Sequence, residues 1–209
     1  MRKFMFALLL AVLLGAVASQ AAITYPIGQA STVGFSNGAF AGQTPRGWDF
    51  MINQPITVYE LGVNAGDSIP ITLTLWDVTT QTILAQTVEN STAFAWEFAT
   101  LTTPVNLLPG DIYSVIGWAD TTGTGVPWYI FNNSPPAAFN PTGTVTYLNT
   151  RFDNNIGPNV FPLGTLASPA QYGVTDIGYT PAIPEPGTFL LLGSGILGLA
   201  SVLRHKLNL

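Results

Sequence analysis

The chain has 209 residues, of which 47% are hydrophobic and only 8% are charged. It has no cysteine, which excludes a disulfide framework and a thiol nucleophile. Between residues 22 and 183 only two basic residues stand against ten acidic ones, a net charge of −8. Because this part has no cluster of Lys and Arg to neutralise phosphates, it is not expected to bind nucleic acid.

Residues 1–21 have the layout of a secretory signal peptide. Arg2 and Lys3 precede a short apolar run, and small residues follow it. Cleavage is expected after Ala18 or Ala21. The alternative is a permanent N-terminal membrane helix, for which the apolar run is short.

Residues 22–183 are predicted to form one β domain, because short alternating or β-branched runs recur between turn residues and no stretch has a helical period. Eight to ten such runs favour an antiparallel two-sheet β-sandwich of jelly-roll type. Residues 132–169, rich in Asn, Pro and Gly, are expected to form long loops at one end of the sandwich. The candidate strands are 47–52, 56–63, 69–77, 82–89, 93–99, 105–107, 112–119, 128–131, 144–149 and 176–179.

Two of these runs predict which side chains face the core. The run 69–77 places Ile69, Ile71, Leu73 and Leu75 on one face, and Thr72, Thr74 and Trp76 on the other. In the run 56–63 the side chains predicted to share a face are Tyr59, Leu61 and Val63.

Over about residues 47–180 the chain resembles an uncharacterised family of bacterial extracellular β-sandwich proteins. The resemblance rests on three segments in order: Leu61-Gly62-Val63, Leu75-Trp76-Asp77, and the Leu-x-x-Gly-x-x-Tyr-x-Val pattern at 107–115. It implies an exported β-sandwich. It implies no activity, because that family has no known function.

The residues needed for most catalytic chemistry are missing between 22 and 183. The only histidine is His205, and this part has no Cys and no Lys. Hydrolases with a Ser-His-Asp or Cys-His site, His-ligated zinc or copper, and Schiff-base lysines are therefore excluded. The chain is predicted not to be an enzyme. The alternative is a glycosidase that uses two carboxylates, with the following candidates: Glu60, Asp77, Glu89 and Glu97.

Aromatic side chains suggest where a carbohydrate could bind. Trp118 and Trp128 flank a Thr- and Gly-rich segment, and Tyr129 follows directly. Arg151 and Asp153 are the predicted polar partners. The alternative is that these aromatic residues belong to the core or to strand edges.

No cofactor is predicted, and calcium is the alternative. Calcium takes several oxygen ligands from loops, which the cluster 153–155 and Asp120 could supply. Asn-rich turns explain the same residues without a metal.

The last segment, 184–209, has three parts in order. Pro184-Glu185-Pro186 comes first, an apolar stretch at 189–203 follows, and Arg204-His205-Lys206 lies near the end. Counted from residue 187, the stretch is just long enough to cross a bilayer. The basic residues after it favour a cytoplasmic C-terminus, so residues 22–183 are expected outside the cytoplasm.

This segment resembles the PEP-CTERM sorting signal of Gram-negative bacteria, with Pro184, Glu185, Pro186, Arg204 and Lys206 as its sorting residues. The resemblance implies a transmembrane helix, processing by an exosortase near Pro-Glu-Pro, and a host that makes exopolysaccharide. The same tail occurs on proteins called ice-binding, a label that indicates no such activity here. The alternative is an ordinary single-span anchor.

Together these features predict an exported protein of the cell surface or the exopolysaccharide matrix, with a structural or adhesive role. The alternative is a carbohydrate-binding module for extracellular polysaccharide.

Overall fold

The computed structural model describes residues 22–27, 35–131, 143–166 and 175–181, with the backbone alone over 35–42 and 122–131. Every regular element in this part of the chain is a strand, and none of its segments is a helix long and apolar enough to cross a membrane. The predicted signal helix and C-terminal helix lie outside the described residues. In chain order the strands are β1 Phe35–Gln43, β2 Arg46–Ile52, β3 Ile56–Asn64, β4 Pro70–Asp77, β5 Thr82–Asn90, β6 Trp96–Leu107, β7 Ile112–Trp118, β8 Asp120–Phe131, β9 Val145–Phe152, β10 Gly164–Leu166 and β11 Thr175–Pro181.

Two antiparallel sheets enclose one hydrophobic core. The larger has the order β10-β9-β2-β7-β4-β5, the smaller has the order β11-β3-β6, and β1 pairs with β8. One buried cluster draws side chains from both sheets, including Phe50, Leu73 and Val115 from the larger and Leu61 and Ile177 from the smaller. The prediction of an all-β two-sheet sandwich is confirmed. Its finer part, the jelly-roll type, stays a prediction.

Strand β4 has the alternation that its sequence predicts. Ile71, Leu73 and Leu75 are wholly buried in the core. Trp76 lies on the opposite face, in a second apolar cluster outside the sandwich core. The larger sheet is therefore covered on both faces at this strand.

Strand β3 departs from its predicted alternation at Tyr59. Its pairing with β6 shifts register between Val58 and Glu60. Such an irregularity interrupts the two-residue period of a strand, so Val58 is buried in the core and Tyr59 is only half-buried. The prediction that Tyr59 shares a face with Leu61 was wrong for this reason.

The remaining differences concern strand limits and loops. The predicted strand 105–107 and residues 96–99 of the predicted strand 93–99 belong to the single strand β6, whereas 93–95 precede it. Neither β1 nor β10 was predicted. Within 132–169 the described part contains β9, which lies inside the larger sheet, and a loop that covers a sheet face instead of projecting from one end. The expectation of long loops at one end was wrong for this part.

The last strand, β11, belongs to the core and joins the two sheets. The indole nitrogen of Trp48 donates to the Thr175 carbonyl at 2.7 Å, and the Thr175 hydroxyl donates to the Val115 carbonyl at 3.0 Å. Ile177 and Tyr179 have no accessible surface. The chain reaches a complete sandwich only at residues 175–181.

We expect Gly47→Ala to lower the free energy of unfolding by about 1–3 kcal/mol or more. A Cβ at Gly47 would overlap the backbone carbonyl of Val115, which cannot move without disturbing the β2–β7 pairing. Gly157→Ala is the control, because a Cβ there meets no atom within 4 Å. Urea denaturation of both variants checks this, and equal midpoints would contradict it.

Candidate functional site

Residues 153–163, which we call the covering loop, connect β9 to β10 and lie on the outer face of the larger sheet. Phe161 of this loop packs against Trp76 with their ring centroids 5.4 Å apart, and Ile116 completes the apolar cluster. Trp76 and Ile116 project from the sheet on the side opposite to the core. The covering loop therefore closes a face that would otherwise expose these side chains.

Arg151 and Asp49 hold the covering loop in place. Asp49 lies between the core residues Trp48 and Phe50 on β2, so its carboxylate projects outward. The Arg151 guanidinium contacts it through two hydrogen bonds, of which Nε to Oδ1 is 2.6 Å. Both side chains are buried, with exposures of 8% and 1%. This is a bidentate pair, the strongest form of such a contact.

The remaining contacts of Arg151 reach the loop itself. Its Nη1 donates to the Pro162 carbonyl at 2.8 Å, and its guanidinium lies 4.5 Å from the centre of the Phe161 ring. The guanidinium is committed to holding the loop, and a place for Arg151 in a carbohydrate site stays a prediction.

Trp118 fixes the same loop at another point. Its indole nitrogen donates to the Ile156 carbonyl at 2.7 Å, and the side chain is half-buried. Trp128 and Tyr129 lie on β8, where only the backbone is described. Trp118, Arg151 and Asp153 therefore meet at one loop, while the position of the other two side chains lies outside the description. Their carbohydrate-binding role stays a prediction.

Three of the oxygen atoms proposed for calcium accept hydrogen bonds from protein donors in this structure. The Asp153 carboxylate accepts from the backbone nitrogens of Asn154 at 2.8 Å and Leu163 at 3.2 Å. Arg46 donates to the Asn154 side-chain oxygen at 2.9 Å. Among the described residues no three His, Cys, Asp or Glu side chains come together as a metal site. Calcium binding stays a prediction that these contacts do not favour.

A group of aromatic side chains on the smaller sheet was missed by the sequence reasoning. We call Tyr25, Trp96 and Phe98 the aromatic shelf. The Tyr25 and Phe98 ring centroids are 4.4 Å apart, and the Trp96 and Phe98 rings stack at 5.8 Å. The Phe98 ring lies directly over Gly62, where a Cβ would overlap it. All three residues are half-buried, and Trp96 also packs against the sandwich core.

A carboxylate lies beside the aromatic shelf. The Tyr25 hydroxyl donates to Oε2 of Glu60 at 2.9 Å. Burial, together with this bond and the negative charge of Glu60, raises the pKa of Tyr25 to about 12. The raised pKa keeps the phenol protonated, so that it remains a hydrogen-bond donor. Half-exposed rings next to a hydrogen-bonding pair can stack on a sugar ring and contact its hydroxyls.

Weak sequence signals could have indicated this shelf. Gly62 and Gly178 interrupt two strands, and a strand glycine marks a place where another group approaches the backbone closely. Gly178 lies beneath Glu60 and Tyr25. The sequence does not say which ring approaches, because Tyr25 comes from the N-terminal segment that bridges to Tyr179.

Several other acidic side chains make structural contacts. Asp77 accepts from the Thr80 backbone nitrogen at 2.9 Å, and Asp67 accepts from that of Ser68 at 2.8 Å, as turn residues do. Asp176 is wholly buried and accepts from the backbone nitrogens of Ile27 and Ile177. These carboxylates stabilise turns and the N-terminal segment by accepting hydrogen bonds from backbone N–H groups.

The residues that directly follow β11 decide the identification. A family model described as the PEP-CTERM protein-sorting motif matches residues 182–204. The chain carries a PEP-CTERM sorting signal. The match includes Pro184, Glu185, Pro186 and Arg204, and Lys206 lies just beyond it. No curated protein matches the chain.

The PEP-CTERM signal fixes the route of the protein in outline. It implies export, an intermediate anchored in the membrane, and an exosortase as the processing partner. These parts of the sequence prediction are supported. The signal covers a small part of the chain and does not describe what the sandwich does at its destination.

We expect Asp49→Ala to lower the free energy of unfolding by about 3–5 kcal/mol, because it leaves the buried guanidinium of Arg151 without its counter-charge. Asp111→Ala is the control: this exposed residue accepts one long hydrogen bond, 3.4 Å, from the Tyr113 hydroxyl, and its loss should cost about 1 kcal/mol at most. Urea denaturation measures both. A similar small change for the two variants would show that the ion pair does not hold the covering loop.

Proposed function

We propose that the protein is a non-catalytic component of the cell surface or the exopolysaccharide matrix, with a structural or adhesive role. On this proposal the sandwich is the cargo of the PEP-CTERM route. It acts at its destination by its folded surface and not by a reaction.

The position of the sorting signal supports this proposal. The matched residues begin at 182, directly after β11 ends at Pro181. Because β11 belongs to the core, processing near Pro-Glu-Pro leaves every described strand on the released side. An exosortase can therefore deliver an intact sandwich, as a surface component requires.

The charges of the sandwich also support a non-catalytic role. The two arginines between residues 22 and 183, Arg46 and Arg151, are both buried. Asp49 is paired with Arg151, and Asp176 holds backbone groups. Acid–base catalysis needs ionisable groups aimed at a cleft, whereas these are committed to packing. What is left for contact with a matrix polymer is a surface of neutral hydrogen-bonding groups and carboxylates.

Replacing Pro184, Glu185 and Pro186 together with Ala should stop processing, so that the protein keeps its full C-terminus and stays in the inner-membrane fraction. Mass spectrometry of the mature protein and fractionation of the cells measure this. Asn208→Ala, outside the matched residues, is the control and should be processed like the wild type. An unchanged mature C-terminus in the triple variant would contradict exosortase sorting.

The second candidate function is binding of the extracellular polysaccharide, and the aromatic shelf is the observation that favours it. Aromatic rings offer flat apolar faces, and the Tyr25–Glu60 pair beside them offers hydrogen-bonding groups. The Asp49–Arg151 pair, in contrast, is buried beneath the covering loop. We therefore propose the aromatic shelf as the sugar site, in place of a site that uses Arg151.

Phe98→Ser should weaken binding to the purified polysaccharide by up to about tenfold, because it removes the central ring of the shelf. Val160→Ser is the control, since this exposed apolar residue lies on the covering loop, away from the shelf. A pull-down at graded protein concentrations measures both. Binding that is retained by Phe98→Ser would contradict the shelf as the sugar site.

A further inference from the structure

The chain leaves the sandwich at a defined end. Pro181, the last residue of β11, pairs with Ile56 of β3, and Ile56 pairs with Leu107 of β6. These three residues form the last row of the smaller sheet. The turn that follows, 108–111, lies at the same end. We call this the anchor end, and the opposite end, where β11 begins, the distal end.

The N-terminal segment reaches the same end. Thr24 and Tyr179 exchange two backbone hydrogen bonds, at 2.8 and 3.0 Å, as an antiparallel bridge. In such a pair, the chain before one residue runs beside the chain after the other. Residue 22, which directly follows Ala21, one of the two predicted cleavage sites, therefore lies beside the end of β11. Both segments that direct the chain to the membrane emerge at the anchor end.

The connection between the sandwich and the apolar stretch is short. Only residues 182–188 separate Pro181 from the start of the apolar stretch at 189. Fully extended, a segment of this length spans at most about 25 Å. The headgroup layer takes up roughly 5–8 Å of this distance. In the anchored intermediate the anchor end is thus held close to the surface of the bilayer.

The anchor end presents apolar side chains and little charge. Leu108 is 59% exposed, and Ile23, next to the bridge, is exposed as well. The charged groups there are Asp111, at an exposed turn, and Asp77, whose carboxylate accepts from the Thr80 backbone nitrogen. Since both arginines of the sandwich are buried, no exposed cation of the described residues can attract anionic headgroups. Any contact with lipid at this end depends on apolar side chains and on proximity.

We propose that the anchor end is a membrane-docking surface, on which the sandwich rests in the anchored intermediate with Leu108 and Ile23 in the headgroup layer. The proposal rests on the anchored form that the sorting signal implies. The short connection makes docking intramolecular, so even a small apolar surface is sufficient. Processing by the exosortase then separates the sandwich from the membrane and ends the contact.

Because the chain has no cysteine, a single introduced cysteine is the only thiol that can react with a maleimide. Pro109→Cys places a thiol at the anchor end, and Thr92→Cys places one at an exposed turn of the distal end. The full chain of each variant is reconstituted into phosphatidylcholine liposomes that contain no other protein. The measured quantity is the rate of reaction with a membrane-impermeant maleimide. We expect Pro109→Cys to react about tenfold more slowly than Thr92→Cys. A difference of this size corresponds to the free energy of burying a leucine-sized apolar surface.

A second pair of variants tests whether the apolar side chain is responsible. Leu108→Ser in the Pro109→Cys chain should restore most of the reaction rate. Phe94→Ser in the Thr92→Cys chain is the matched control, because Phe94 is 58% exposed at the distal end, and it should leave the rate unchanged.

The outcomes separate this proposal from the sorting route. Equal rates at the two reporters, in chains that float with the liposomes, would overturn docking and leave sorting intact. Equal rates in liposomes together with protection of Pro109→Cys in cell membranes would overturn lipid as the partner and indicate a protein. Chains that do not float would overturn the anchored form, and docking with it.

Discussion

The hydrogen bond from the Trp48 indole to the Thr175 carbonyl crosses the core and joins the two sheets. If β11 left the core, this buried donor and the Thr175 hydroxyl would lose their partners, and an unpaired buried polar group is costly. The final strand is thereby bound to the centre of the larger sheet, although the signal for processing follows it directly. The sandwich and its sorting signal adjoin without overlapping, so one can be processed while the other stays folded.

The few basic side chains of the sandwich also make internal contacts. Residues 22–183 contain two arginines, and each is used inside the protein: Arg46 near Asp153 and Asn154, and Arg151 in its pair with Asp49. The covering loop depends on the second pair and on the Trp118 indole. Both arginine side chains therefore hold loop residues on the larger sheet. The outer surface of the described residues is left largely neutral and acidic.

Much of the fold could be predicted because alternation is a local property. Strand β4 shows this, since Ile71, Leu73 and Leu75 fall on the core face as their two-residue spacing indicates. Tyr59 could not be placed, because the register shift beside it depends on how β6 pairs with β3. The short strand β10 was missed for a similar reason, since three residues carry no period and are defined by pairing with β9.

The sequence by itself determined the route, namely export and the PEP-CTERM signal, because targeting enzymes read linear segments. It also indicated the sheet-forming runs, and it supplies no His, Cys or Lys between residues 22 and 183. Only the tertiary structure decided what the polar and aromatic residues do. It placed Arg151 in a buried ion pair instead of an open site, and brought Tyr25 to Phe98 and Glu60. Such contacts join strands that are distant in the chain, and no local pattern specifies which of them will meet.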